Sequence, residues 1–378
     1  MKVAIIHYWL VHMRGGEKVL ESLCRLFPDA DIFTHAYDPR GVSETIRRHR
    51  IRTTAISRLP APKRLYRAYL PLMPFALESL DLSDYDLVIS SEAGPAKGVI
   101  TRPDALHLCY CHSPMRYIWD QYHAYKAGTG LAGRLAMSLF SPALRQWDVT
   151  SAARVDRFVA NSVHVGKRIE KYWRRDAEIL HPPVALEAFS PAPLSAREDF
   201  YLWAGELTGY KRPDLAIEAF NRLGRRLVVI GGPEKARKAL AARARDNIVF
   251  LGRVPFATLR DHMARATALV FPGEEDFGLV PVEAMASGRP VIAYGRGGAT
   301  ETVRHGETGW LFDDQSIEGL IAAVAAFERS GLTDADPRTI AAYTSRFSER
   351  AFITGLCAIL ARHGIAPPAA NRLLEAAR

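Results

Sequence analysis

Four cysteines in 378 residues are too few to brace this chain. Cys109 and Cys111 sit one residue apart in a strand-like run, which gives neither a disulfide framework nor a zinc-binding spacing. Such usage fits a reducing cytosol. No stretch approaches the run of about 20 apolar residues that a membrane-spanning helix needs. The opening MKVAIIHYWLV is apolar like a signal peptide, yet Arg14, Gly15, Gly16, Glu17 and Lys18 follow without a small-residue cleavage site. It reads as a first buried strand. No internal repeat at a period of roughly 20 to 50 residues and no low-complexity tract occurs, which excludes solenoids and propellers. Acidic residues are missing altogether from Thr45 to Leu77.

What is present describes a globular protein with an anionic partner. Hydrophobic residues make up 48% and charged residues 24%, and the length exceeds one ordinary core and fits two. The net charge of +9 admits nucleic acid, anionic lipid or a diphosphate substrate at this level. Strand-like runs alternate with helical patterns, the signature of parallel βαβ sheets. The first half has runs at Lys2–Tyr8, Asp86–Ser90, His107–Cys111 and Asp156–Ala160. The second has them at Phe200–Gly205, Arg226–Gly231, Ile248–Gly252, Ala268–Phe271 and Pro290–Tyr294. Residues 181–198, with four prolines and no period, read as a linker. Two doubly wound α/β domains are therefore expected, over 1–180 and 199–350, with a helical tail over 351–378.

The segment EEDFGLVPVEAMASGRPVI, Glu274 to Ile292, is the most informative in the chain. Glu275 and Glu283 stand with seven residues between them. The run Ala268–Phe271 predicts a buried strand broken by Pro272-Gly273, and Pro281 is expected to open a helix at its first position. Glu275 then lies beyond a strand's carboxyl end, where open α/β sheets bind ligands. Free N–H groups around Phe277, Gly278, Leu279 and Val280 would meet an anion such as a diphosphate. Glu283, expected in the helix's first turn, could accept hydrogen bonds from the diol of a ribose. Taken singly, Glu283 could be a helix-dipole partner and Glu274–Asp276 a solvent loop. As a set they outline a nucleotide-sugar.

Three further passages add to the outline. Gly15 and Gly16, between the first strand and a helix over Glu17–Leu26, let backbone approach a phosphate or sugar closely. His112 emerges at the carboxyl end of the His107–Cys111 strand, followed by an aromatic and polar cluster of Arg116, Tyr117, Trp119 and Asp120 that suits either sugar contacts or a domain interface. Lys211 and Arg212 precede a helix start at Pro213-Asp214, and two cations beside helical N–H groups favour a diphosphate leaving group.

The Glu275-x7-Glu283 segment closely resembles the signature of the retaining glycosyltransferases of family 4, and the other passages extend the resemblance over nearly the whole chain. The resemblance implies the GT-B fold: two Rossmann-like domains facing a cleft, with a C-terminal helix crossing back to the first domain. It implies that His112 binds the transferred sugar near its reacting carbon and that Glu275 holds a sugar hydroxyl, as the catalytic pair. Lys211 falls at the family's phosphate-binding lysine, whereas Glu206 stands where many members have arginine. Either Lys211 and Arg212 carry more of the phosphate, or Glu206 points elsewhere. The backbone at Arg253 and Val254 is implied to read the nucleobase edge. Gly297, Gly298 and Glu301 resemble another family turn and are taken as structural first.

GGEKVLE, CHSPMRYIWD and GYKRPDLAIEAF most resemble members that use GDP-mannose to build bacterial surface polysaccharide on polyprenyl-diphosphate carriers. A UDP-sugar or another GDP-sugar remains open, as does a nucleotide-sugar 2-epimerase or a non-catalytic nucleotide-binding protein of the same architecture. No cofactor and no metal are expected, because no Asp-x-Asp pair adjoins the donor motif and Lys211 and Arg212 supply the positive charge. The acid-free stretch 45–77 carries Arg47, Arg48, Arg50, Arg52, Arg58, Lys63, Arg64 and Arg67 among aromatic and aliphatic residues. It reads as a contact with an anionic membrane surface, with a solvated basic face as the plain alternative. Nucleic-acid binding lacks a reading motif. The expected place is the cytoplasm, peripheral on the inner membrane, where a lipid-diphosphate-linked glycan acceptor would be met.

Overall fold

The computed structural model describes residues 1–376 and divides into two compact units. One comprises Met1–Pro183 and the segment from Phe352; the other is Val184–Ala351.

The first unit holds seven parallel strands: β1 (Val3–His7), β2 (Asp31–Thr34), β3 (Ile51–Thr53), β4 (Leu87–Glu92), β5 (Leu106–Cys111), β6 (Arg157–Ala160) and β7 (Ala177–Ile179). Their order is β3-β2-β1-β4-β5-β6-β7. The second unit holds six: β8 (Tyr201–Ala204), β9 (Leu227–Ile230), β10 (Ile248–Gly252), β11 (Ala268–Phe271), β12 (Val291–Tyr294) and β13 (Gly309–Phe312), in the order β10-β9-β8-β11-β12-β13. In each sheet the winding reverses once, between β1 and β4 and between β8 and β11. Connections leave the two strands on opposite faces there, so a crevice opens beyond their carboxyl ends.

The strands are buried on both faces, which is why they read as continuous apolar runs. β2, β3, β7 and β13 are not expected from sequence: β3, β7 and β13 are sheet-edge strands with part-exposed positions, and β2 offers only Ile32 and Phe33 as buried apolar residues. In the first unit the helix Gly15–Leu26 buries Val19, Leu20, Leu23 and Leu26 in the core that contains Ile5 and Ile89. Phe352, Ile353, Leu356, Ile359 and Leu360 join that same core, and Phe352 meets Tyr110 edge-on at 5.6 Å. Their spacing is one helical face, so the C-terminal segment is an integral layer of the first unit. The proline-rich segment 181–198 is not a free tether. Val184 and Phe189 enter the second unit's core, and the Val184 N–H donates to Phe347 O at 2.9 Å. Among the described residues no helix is long and apolar enough to cross a membrane.

Candidate functional site

In the second unit, the loops after β8 and β11 meet at the winding reversal. The first brings Lys211 and Arg212, the second Glu275. Lys211 Nζ donates to Glu275 Oε1, and both side chains are largely buried. Burial alone would push the Lys211 ammonium down, but the Glu275 carboxylate outweighs it and holds the lysine above its ordinary value. A fixed cation thus stands at the crevice with a carboxylate against it. Arg212, with φ 52° and ψ 46°, is the N-cap of the helix Pro213–Leu223. Its Nε lies 3.3 Å from Asp214 Oδ1, and its Nη1 donates to Gln315 Oε1 at 3.3 Å. The Gln315 amide in turn donates to Pro272 O at 2.8 Å, tying Arg212 to the strand end that carries Glu275. Gln315 lies far along the chain, and sequence reasoning passed it over.

The helix after Glu275 spans Leu279–Ala286, so two expectations need correction. Pro281 is its third residue and Glu283 its fifth, in the second turn. Gly278 has φ 85°, a left-handed conformation that lets the chain turn into the helix two residues before the proline. Glu283 is pushed up to about 7, chiefly by burial, with Lys211 pulling it back. Phe277 turns its ring into the core, 5.6 Å edge-on to Phe347, so only its backbone is offered. Leu279 and Val280 are partly buried and also pack on that core. The Gly298 N–H donates to Glu275 O at 2.9 Å, so the GRGG turn braces this loop.

Glu206 is paired with a different cation, Arg253. It accepts from Arg253 Nη2 at 2.8 Å on the surface, so the Arg253 side chain is engaged there while Val254 packs on the core. The Glu206 carboxylate still adds to Glu275 in holding the Lys211 ammonium up.

In the first unit, Gly15 and Gly16 form the first helical residues after β1, earlier than the expected start at Glu17. A β-carbon on Gly16 would overlap the Tyr8 hydroxyl and stand 3.6 Å from His112 Nε2. Glycine is therefore required where this turn passes the histidine. His112 is fixed on three sides: its N–H donates to Glu92 O at 2.8 Å, its carbonyl accepts from Asn161 Nδ2 at 3.0 Å, and Nε2 lies 2.9 Å from Ser91 Oγ.

Behind His112 runs a buried chain of polar groups that the sequence reading did not single out. His7 and Ser91 are register partners on β1 and β4. His7 Nδ1 is 3.0 Å from Ser91 Oγ, and His7 Nε2 is 3.4 Å from Glu17 Oε1. Burial alone would raise Glu17, but hydrogen bonds from His7 and from the Arg14 N–H hold it below its ordinary value. An ionised Glu17 can only accept, so His7 carries hydrogen on Nε2. In the neutral ring Nδ1 is then the acceptor, Ser91 donates to it, and the Ser91 oxygen accepts from His112 Nε2. With a neutral His7 ring, the Glu17 carboxylate thus favours hydrogen on His112 Nε2 through two intermediaries. Ser91→Ala is expected to collapse the Nε2–H preference of His112 in ¹⁵N spectra and lower turnover about three- to tenfold, with nucleotide affinity unchanged. An unchanged His112 spectrum would mean that the chain does not orient the ring. The signal available in the sequence was a histidine ending an apolar strand with a glutamate ten residues on.

The cluster after His112 is mainly structural. Trp119 stacks flat on Tyr172 at 4.7 Å and donates to Asp148 Oδ2 at 2.7 Å, while Asp120 is paired with Arg168.

Comparison with known proteins follows the same division of the chain. Residues 13–188 match the family described as Glycosyltransferase Family 4, and residues 187–344 match the one described as Glycosyl transferases group 1. A D-inositol 3-phosphate glycosyltransferase of Mycobacterium marinum is 32% identical over 198 residues, 46% of this chain and 42% of that protein. One from Streptomyces bingchenggensis is 30% identical over 299 residues, 62% of this chain and 66% of that protein. The chain spans about half the length of most curated relatives it matches. Among solved structures, Anabaena Alr3699/HepE in complex with UDP superposes with a TM-score of 0.70 at 16% identity, over 96% of this chain and 100% of that one. Sucrose-phosphate synthase from Thermosynechococcus elongatus gives 0.70 at 17% identity, over 96% and 99%. At such identities the likeness is one of fold, and that fold is GT-B.

Proposed function

We propose that this chain, which carries a Glycosyltransferase Family 4 domain followed by a Glycosyl transferases group 1 domain on the GT-B fold, is a retaining glycosyltransferase. The reading is that it moves mannose from GDP-mannose onto a polyprenyl-diphosphate-linked glycan during bacterial surface polysaccharide synthesis. It would work at the cytoplasmic face of the membrane, with the basic stretch 45–77 toward the lipid. One observation carries the enzymatic part: the Lys211–Glu275 pair at the winding reversal, with Glu283 within reach of the same lysine's field.

In this proposal Lys211, Arg212 and the backbone N–H groups of 278–280 hold the donor diphosphate and take up charge as the bond from the anomeric carbon to phosphate breaks. No metal is required for that role. Glu275 accepts from a hydroxyl of the donor sugar, Glu283 accepts from the ribose, and His112 contacts the sugar near its anomeric carbon. The acceptor hydroxyl bonds to that carbon on the face the diphosphate leaves, and its proton passes to the departing phosphate oxygen. A UDP-sugar is the second reading, because Alr3699/HepE has been solved with UDP and with UDP-glucose.

The test is incubation of the protein with GDP-mannose or UDP-glucose and a synthetic polyprenyl-diphosphate disaccharide. Release of GDP matched by an α-linked, lengthened glycolipid supports the reading. Transfer from UDP-glucose alone would move it to the second donor. Free epimerised sugar released without acceptor would make the protein a 2-epimerase.

A further inference from the structure

The helix Leu131–Ala152 has two unlike halves, joined at Pro142. Its second half is anchored. Leu144 is buried with Met115 and Ile118, against which Leu70 also packs, and Trp147 Nε1 donates to Glu78 Oε1 at 2.9 Å. Its first ten residues, LAGRLAMSLF, are almost entirely exposed: Leu131 is 84% accessible, Leu135 71%, Leu139 67% and Phe140 41%. The three leucines recur every fourth residue and so form one stripe. Soluble proteins do not ordinarily leave such a stripe in water.

The surrounding charge says what covers it. Between Asp120 and Asp148 there is no acidic residue, while Lys126, Arg134 and Arg145 are present. Tyr125, an aromatic suited to a headgroup region, is exposed just before the helix. Through the Leu70–Leu144 cluster the anchored half adjoins the acid-free stretch 45–77, where Leu65, Leu72 and Phe75 are also exposed. Much of that stretch's remaining apolar content, including Ile56, Tyr66, Met73 and Leu77, is core and unavailable to a partner. A second copy of this surface would bring like charges together, which opposes self-association. Apolar side chains among cations and without anions suit an anionic bilayer.

We infer that residues 131–140 are a monotopic membrane element, whose Leu131, Leu135 and Leu139 enter the interfacial layer of an anionic bilayer while the neighbouring cations meet lipid phosphates. This deepens the lipid-borne acceptor reading, but its evidence is independent of it. Vesicle binding and nucleotide binding are accordingly scored separately.

The experiment uses the full chain with sedimentation on vesicles of phosphatidylcholine containing about one third phosphatidylglycerol, and on phosphatidylcholine alone. The variant is Leu131→Ser/Leu135→Ser/Leu139→Ser, which leaves 45–77 intact; an unchanged melting temperature and unchanged nucleotide affinity show that it is folded. The expected result is anionic-vesicle binding by the wild type that weakens at least tenfold in the variant. Equal vesicle binding by variant and wild type would overturn the inference. So would a wild-type dimer by light scattering that becomes monomeric in the variant while vesicle binding is unchanged, since a second copy would then be the occupant.

Discussion

Glu275→Gln lowers turnover about 10²- to 10³-fold without weakening the affinity for free GDP or UDP, which is the range for removing one preorganised charge contact at a transition state. The pairing of the two side chains explains the split. Lys211 and Glu275 are paired in advance, and an arriving diphosphate competes for the same ammonium. In the proposed function the carboxylate is thereby released toward the sugar. Glutamine keeps the shape, frees the lysine for phosphate and removes the charge proposed to hold the sugar hydroxyl. Lys211→Met has the complementary effect. Nucleotide affinity falls about ten- to a hundredfold, as expected for a charged hydrogen bond of ~1.5–3 kcal/mol. If Glu275→Gln lost nucleotide affinity in parallel with turnover, the carboxylate would be a scaffold for the lysine.

The affinity for a nucleotide-sugar rises about tenfold between pH 6 and pH 8, and Glu283→Gln abolishes the rise. The sign follows from burial. Glu283 is pushed up to about 7, so in the free protein it holds a proton below that pH. Accepting from both ribose hydroxyls requires the carboxylate, so binding on the acid side must expel a proton and weakens as pH falls. A sugar diphosphate diester does not itself titrate there, which assigns the dependence to the protein. The same displacement lowers folding stability as pH rises from the ordinary carboxylate range to about 7, because the native state favours the protonated form. Glu283→Gln should therefore raise the ligand-free Tm at pH 8. A flat affinity profile in the wild type, by calorimetry in buffers of different protonation enthalpy, would place the ribose elsewhere.

The fold was legible wherever burial wrote continuous buried runs. β1, β4, β5, β8 and β11 are such runs, and they include both pairs that flank the winding reversals. β3, β7 and β13 are sheet edges with part-exposed positions, and β2 has only Ile32 and Phe33 as buried apolar residues, so none of them writes an apolar run. The start of the helix at Leu279 was misplaced because proline is the stronger local signal, whereas Gly278 φ decides the turn. In the second unit, Lys211 and Arg212 lie in one motif and Glu275 and Glu283 in another, and both motifs were readable. Gln315 and the Glu17–His7–Ser91 chain were not. In the first unit His7 and Ser91 meet through sheet register, and in the second Gln315 reaches Arg212 from 103 residues along the chain, which no local spacing encodes. Glu206 was visible as a departure, but its partner Arg253, 47 residues away, appears only when the loops after β8 and β10 come together.

The most direct test of the account is calorimetric titration of the wild type and Lys211→Met with GDP, UDP and ADP in the presence of a chelator. The wild type is expected to bind GDP or UDP without metal, and Lys211→Met to bind at least tenfold more weakly. Absence of binding to every nucleotide, or affinity indifferent to Lys211, would contradict it.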